Sequence, residues 1–318
     1  MRLPFAIPPR ESRGIDVAVF GENSVDLVAV ADGFPAANSK QRLESLTRLP
    51  GGQMATAAAV CARLGCRTRY IGSFGDDDLA ALGRASLTRE GVDVSACLTV
   101  AGAASRSALV LVDGRTGERS VLWSRDPRLA IRAGQVSSEA VTSARVALLD
   151  GSDIEAAVDL CGAARQAGVP VVADLDTVEP GIEALLGSVD VLIASQTFPS
   201  RLTGVDDPGR ALAALAAACG ALMVAMTLGE DGSLALMGGR EIRTPAFRVA
   251  CVDTTGAGDA FHVGFVAGWL REPMADIGEL LAYANATAAL NCRGRGARGA
   301  MPTPSEVEAL LTGRRSAG

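Results

Sequence analysis

Along most of this chain, short unbroken runs of β-branched and apolar residues alternate with stretches of helical period. Ile15–Phe20, Thr68–Ile71, Val146–Leu149, Val169–Ala173, Val189–Ala194 and Leu222–Met226 read as strands. Met54–Leu64, Leu79–Glu90, Ile154–Ala167 and Pro208–Cys219 read as the helices between them. Apolar runs without polar interruption belong to strands covered on both faces, and helical crossovers supply that cover in a parallel sheet. The pattern therefore predicts an α/β fold, a doubly wound parallel sheet, with ligands bound beyond the carboxyl ends of its strands.

Two stretches stand outside this alternation. Ser107–Val112 and Arg119–Trp123 flank Asp113-Gly114-Arg115-Thr116-Gly117, a hairpin signal, and Gly33–Pro50 is polar and irregular. Both predict extra strands outside the main sheet, placed as a small β-sheet lid. Leu234–Leu236 and Ile242–Val249 read as a second hairpin, after which Ala257–Arg271, Met274–Asn291 and Ser305–Leu311 are helical. With no repeat and no linker composition, the chain reads as an extension over 1–14 and a single domain over 15–318. The lid segments lie near 33–50 and 104–125.

Composition narrows the function. Hydrophobic residues at 48% and charged residues at 21% exclude disorder. A net charge of −6 gives no field for nucleic acid or anionic lipid. Lys40 is the only lysine, so no P-loop lysine is available. Seven cysteines without C-x-x-C spacing argue against zinc or a disulfide framework and for a reducing, cytoplasmic setting. Met1–Gly14 has three prolines and no apolar core of a signal peptide. Residues 211–229 carry no charge, which approaches a membrane span. Their alanine content and Gly220 instead suggest a helix followed by a buried strand, and hence a soluble protein.

The strongest motif is Val252-Asp253-Thr254-Thr255-Gly256-Ala257-Gly258-Asp259-Ala260-Phe261. It leaves a strand, turns through small residues and enters a helix. Amides at a helix start attract an anion, and glycines let a phosphate come close. Gly256, Ala257 and Gly258 are thus the candidate anion hole. Asp259 is placed to take the proton of an attacking hydroxyl while that hole holds growing charge. Three further segments fit a ligand less specifically. Leu49-Pro50-Gly51-Gly52-Gln53-Met54-Ala55-Thr56 sets a glycine pair before a helix, and Gly21-Glu22-Asn23-Ser24-Val25-Asp26 follows the first strand. Thr227-Leu228-Gly229-Glu230-Asp231-Gly232 ends a later one. Each alone is also what an ordinary turn or helix junction shows.

Together and in this order, the four segments resemble the ribokinase-like (PfkB) family of carbohydrate and nucleoside kinases, over about Ile15 to Leu311. The resemblance implies a doubly wound domain with a β lid, ATP and Mg²⁺ as cofactors, and a small sugar as substrate. It implies Asp259 as base, and Asp26, Ser24, Gly51, Gly52, Gln53 and Thr56 at the substrate. Thr227, Leu228, Gly229, Glu230, Asp231 and Gly232 match the nucleotide-phosphate loop, with Asn285 near the adenine. Asp253, Thr255, Asn291, Gly294 and Gly296 fall where many members bind a monovalent cation such as K⁺. A homodimer joined through the lids is implied as well.

There are departures from the family pattern. Thr56 replaces the usual asparagine, and Ser195-Gln196-Thr197-Phe198 stands where N-x-x-E helps position Mg²⁺. Ala300 lacks a hydroxyl that sometimes completes the cation site. The string with His262, a nearby R-L-T-G and the missing N-x-x-E are similar to sulfofructose kinase, yet no arginine is found near Asp150–Asp153 to hold a sulfonate. His262, the only histidine, reads as a structural neighbour of the site. A nucleoside kinase and a non-catalytic sugar sensor on the same fold are the alternatives; aromatic content of 4% favours a sugar, and the intact Asp259 string favours an enzyme.

Overall fold

The protein is described by a computed structural model over residues 1–116 and 118–315, so Gly117 of the predicted hairpin turn lies outside the described residues, as do 316–318. Among the described residues fourteen strands run in chain order: β1 (Ile15–Phe20), β2 (Ser24–Ala31), β3 (Leu43–Gly51), β4 (Thr68–Ile71), β5 (Ser73–Phe74), β6 (Leu98–Thr99) and β7 (Ser107–Asp113), then β8 (Arg119–Ser124), β9 (Ala144–Asp150), β10 (Val171–Leu175), β11 (Val191–Ala194), β12 (Met223–Thr227), β13 (Ser233–Met237) and β14 (Arg240–Thr244).

Eight of them form one sheet in the order β14-β13-β12-β11-β10-β9-β1-β4. From β4 to β12 the pairing is parallel, and only the β13–β14 edge is antiparallel. Every residue of β9, β10 and β11 is buried, as continuous apolar runs require. Two hydrophobic clusters cover the two faces. One holds Val19, Leu148 and Ile193 with the helices Gln53–Arg63, Ala257–Arg271 and Ile277–Asn291; the other holds Phe20, Leu149 and Leu192 with Ile154–Gln166 and Pro208–Ala218. The doubly wound sheet is as expected.

The chain leaves β1 to one side towards β4 and returns to β9 on the other. The direction of winding thus reverses between β1 and β9, where open α/β sheets bind ligands. The strand ends are packed tightly there. A Cβ on Gly21 would sit 2.3 Å from the Asp150 carboxylate, which accepts the Glu22 amide at 2.8 Å.

The lid is a second sheet, β3-β2-β7-β8. Its existence follows the expectation, but two boundaries do not. The stretch Gly33–Pro50 is irregular only to residue 42, and β3 occupies Leu43–Gly51. The reading also missed β2. Ser24–Ala31 pairs with both β3 and β7, so Asp26 lies on a strand rather than in a turn. The second hairpin closes earlier than predicted, because Gly238 (φ +56) and Gly239 (φ +75) make its tight turn. Its last strand stops at Thr244, since Pro245 has no N–H to pair. At the N-terminus, Leu3 is buried and the Phe5 ring meets Trp269 edge-on at 5.8 Å, packing the extension on the domain. Among the described residues no helix is long and apolar enough to cross a membrane. Residues 211–229 split into the end of the helix Pro208–Ala218 and the buried β12.

Candidate active site

Parallel strands end on one edge, and their order sets out the site. From β12 through β11, β10 and β9 to β1 the edge carries Thr227–Gly232, Ser195, Asp174 with Asp176, Asp150, and Glu22 with Asn23. Neighbouring strands lie about 4.8 Å apart, so this row spans roughly 19 Å, room for a triphosphate and a sugar end to end. The helix Ala257–Arg271 packs on β9 and β10 and brings Asp259 to the middle of the row.

The start of that helix is shaped by its glycines. Gly256 caps it in the left-handed region (φ +74), and a Cβ there would lie 2.3 Å from the Ala297 carbonyl. A Cβ on Gly258 would meet nothing within 4 Å, so the turn is open to a ligand at that point. Of the three expected anion-hole residues, Ala257 has its amide bonded to the Thr254 carbonyl at 3.2 Å; the opening lies over Gly258. Asp259 is half-buried. Burial first, then the negative charges of Asp176 and Asp150, push its carboxyl well above the usual range, and Arg298 opposes them.

Beneath this turn sits His262, which is 2% exposed. Its Nδ1 lies 2.6 Å from the Gly258 carbonyl, and its Nε2 lies 3.1 Å from Asp174 Oδ1 and 3.2 Å from the Ile193 carbonyl. Burial lowers its pKa to about 4, so at neutral pH the ring is neutral and donates once. Both ring nitrogens face a backbone carbonyl, Gly258 from Nδ1 and Ile193 from Nε2, so the neutral ring donates to one of the two. Burial, then the charges of Asp259 and Asp176, hold the Asp174 carboxyl well above its ordinary value. The only histidine thus braces the Gly258 turn against β10 and β11. Asp174 Oδ2 is buried without a hydrogen-bond partner.

At the β1 end, Ser24 Oγ donates to Asp26, and a Cβ on Gly51 would sit 2.3 Å from Asp26 Oδ2. Gly52 (φ +85) packs its backbone on Asn23, and Gln53 Nε2 donates to the Asp174 carbonyl at 3.4 Å. A cavity of about 550 Å³ opens between the inner face of the lid and the loops before and after the last two long helices. Asp26, Val28, Val110, Arg119, Thr254 and Arg295 help to line it. Arg106 on the lid pairs with Glu22 and lies over Trp123 at 5.3 Å.

At the β12 end, Gly229–Asp231 forms one 3-10 turn closed by the Leu228 amide on the Gly232 carbonyl at 2.7 Å. Gly232 (φ +91) lies against Thr244, while Gly229 (φ +59) is open. Asn285 is buried, and its amide nitrogen donates to Ser233 Oγ at 3.0 Å and to the Thr244 carbonyl at 3.4 Å, so it ties its helix to the hairpin. In the segment lacking N-x-x-E, Ser195 Oγ is buried without a partner, and Phe198 is fully buried in the core rather than facing the cleft. The candidate cation loop is internally bonded. Asp253 accepts from Thr255 (N 2.8 Å, Oγ1 2.6 Å) and from the Gly296 amide (2.8 Å), and Asn291 Nδ2 donates to the Ala297 carbonyl at 2.9 Å. A Cβ on Gly294 would strike Gly299 at 2.3 Å.

One expectation is corrected by contacts distant in sequence. Arg125 reaches the Asp150–Asp153 segment and makes a two-oxygen pair with Asp153, at 2.8 and 2.7 Å. Three residues beyond the expected set stand beside it: Arg298 and Arg106, which both act on Asp26, and Asp174 at the end of β10. Asp174 was visible as a lone carboxylate ending an apolar strand; no local signal marked the two arginines.

The sequence profile of the pfkB family of carbohydrate kinases matches residues 15–304. An ATP-dependent ribose-1-phosphate kinase of Halopiger xanaduensis is 32% identical, over 92% of this chain and 97% of its own length. A ribokinase of Bacillus subtilis is 30% identical, over 93% and 99%. The structure of Arabidopsis thaliana ribokinase complexed with ribose and ATP superimposes with a TM-score of 0.82 at 26% identity, covering 93% of this chain and 98% of that one.

Proposed function

The chain belongs to the pfkB family of carbohydrate kinases, and on that premise we propose that it moves the terminal phosphoryl group of ATP to a primary hydroxyl of a monosaccharide or sugar derivative. Asp259 is the base. It takes the hydroxyl proton as the new oxygen–phosphorus bond forms and the bond to the β-phosphate oxygen breaks. The open turn at Gly258 holds charge on the transferred group. Asp26, Ser24, Gly51, Gly52, Gln53 and Thr56 position the sugar, and Thr227–Gly232 takes the nucleotide phosphates, with the adenine beside the helix of Asn285. ADP and the phosphorylated sugar leave.

Burial first, and then the charges of neighbouring carboxylates, raise the carboxyls of Asp150, Asp174 and Asp259, and Asp174 Oδ2 has no hydrogen-bond partner. Among the described residues no three carboxylate, histidine or cysteine groups stand together to hold a metal, so Mg²⁺ would be held mainly by the nucleotide and would supply charge neutralisation there. Asp253, Thr255, Asn291, Gly294 and Gly296 are the residues that would hold a K⁺, and there Asn291 Oδ1 is buried without a hydrogen-bond partner. The lid's outer face, with Leu46, Leu109 and Leu122 exposed, supports pairing of two copies through their lids; sedimentation as a monomer at micromolar concentration would remove that reading.

The observation that carries the reading is Asp259, held beside an open glycine turn at the centre of the row of strand ends. Asp259→Asn keeps volume and helix geometry but cannot accept the proton. Turnover, measured as ADP release, should fall about 10²- to 10⁴-fold while calorimetry still shows sugar and ATP binding. A variant with near-native turnover removes Asp259 as base. A wild-type protein that binds sugar yet releases no ADP is a sensor.

A further inference from the structure

Arg298 comes from the loop after the helix Ile277–Asn291 and ends among groups more than two hundred residues away. Its Nη2 donates to the Gly51 carbonyl at 3.2 Å, Nη1 to Ser86 Oγ at 3.0 Å, and Nε to Thr56 Oγ1 at 3.4 Å. All three acceptors are neutral. Asp26 and Asp259 flank the guanidinium and act on it through space, but neither forms an ion pair with it among the described residues. Burial pulls its pKa down to about 10, the mark of a cation short of counter-charge.

The position of this charge is informative. Thr56 is short, and the space beside its hydroxyl is taken by Arg298. An amide at 56 would read a sugar hydroxyl as both donor and acceptor, whereas a guanidinium only donates and always carries charge. Three of its five N–H groups are engaged. Arg106, the residue before the lid strand β7, adds a second cation, which like Arg298 acts through space on Asp26. Its partner Glu22 is itself pushed up to about 7, by burial foremost, so that at neutral pH Arg106 is only partly compensated. The Arg106 Nε is buried without a well-directed hydrogen bond. A neutral polyol needs neither of these cations.

We propose that the sugar substrate carries an oxyanion (phosphate, carboxylate or sulfonate), which Arg298 and Arg106 bind together while Asp26 holds hydroxyls. This rests on the sugar-kinase reading above and names its substrate class. A guanidinium matches two oxygens of such a group in parallel, and charge-assisted bonds of this kind are the strong ones.

The test is ADP release by the wild-type protein with matched pairs: ribose against ribose 1-phosphate, fructose against fructose 6-phosphate, and an aldose against its aldonic acid and its terminal sulfonate. The expected result is a kcat/KM at least about tenfold higher for one or more charged members than for the neutral partner. Which arm responds identifies the oxyanion. Arg298→Gln, and separately Arg106→Gln, should contract that ratio by about ten- to a hundredfold, with Arg298→Lys retaining part of it. A wild-type ratio at or below one in every pair overturns the proposal, as does a loss in Arg298→Gln equal for both members. Efficient turnover of neutral sugars alone overturns this inference and leaves the kinase reading standing; no ADP release with any sugar removes both. If Arg298→Gln does not fold, the wild-type ratios and Arg106→Gln still decide.

Discussion

The central sheet and the lid are drawn from the same stock of Val, Leu and Ala, yet they are buried in opposite ways. Every residue of β9, β10 and β11 is buried, whereas every residue of β8 is exposed and β3 is largely so. Helices cover both faces of the first sheet. The second has a cavity against its inner face and exposed leucines on its outer one. The proposed base is fixed to the first: Asp259, braced through His262, stands on a helix packed against β9 and β10. The second carries Asp26, with Arg106 at its margin, the two residues proposed to meet the substrate. A rigid half for chemistry and a lightly packed half for capture is the division that allows closure after binding.

The largest test of that division is a pair of equal truncations. Leu148→Ala in β9 removes a fully buried side chain and should cost about 2–5 kcal/mol, while Leu122→Ala in β8 should stay within about 0.5 kcal/mol. Urea unfolding of the two variants measures this, and similar losses would erase the distinction. Asp26→Ala sharpens it on the ligand side. Removing hydrogen bonds to a charged group costs about 1.5–3 kcal/mol, so sugar affinity should fall one to two decades while ATP binding persists. Calorimetry showing the nucleotide lost instead would put Asp26 at the wrong end.

The smallest effect concerns pH at the seam between the halves. Burial, with Asp150 and Asp176 adding and Arg106 opposing, raises the Glu22 carboxyl from 4.5 to about 7. The folded state therefore holds that proton more tightly than the unfolded one. The stability it contributes is complete below about pH 4.5 and is lost as pH rises through about 7. Asp150, raised to about 6, acts in the same direction; His262, lowered from 6.5 to about 4, acts oppositely, its contribution being lost as pH falls from about 6.5 through about 4 in wild type and variant alike. Between pH 5 and 8, melting temperature should fall more in the wild type than in Glu22→Gln. Equal slopes would show that Glu22 does not titrate in this window.

What the sequence disclosed follows the same division. The buried strands were legible because apolar runs of that length have few other uses, and the Asp259 turn because its chemistry is local. The lid strand Ser24–Ala31 was not, since Asp26 at its start reads as a turn and its pairing depends on β7, some eighty positions away. Arg298 reaches Thr56 across 242 positions and Gly51 across 247, contacts that exist only once the sheet has ordered its edge. Arg125 on Asp153 was hidden for the same reason. The segment at Ser195–Phe198 was read as a weakened metal motif; the burial of Phe198 shows that a carboxylate restored there would face the core.

A chain with one histidine also has one imidazole spectrum. His262 bridges Gly258 and Asp174 directly under the turn on which the phosphoryl group is expected to rest. Labelling the protein with ¹⁵N-histidine would give a single pair of ring nitrogens, with no assignment problem and no need of a foreign probe. The neutral ring carries its proton on one nitrogen only, so the two shifts should be well separated and should hold still down to about pH 5. Any ligand that draws the Gly258 turn towards itself must change the 2.6 Å contact beneath it, and the native ring would report that event from inside the fold.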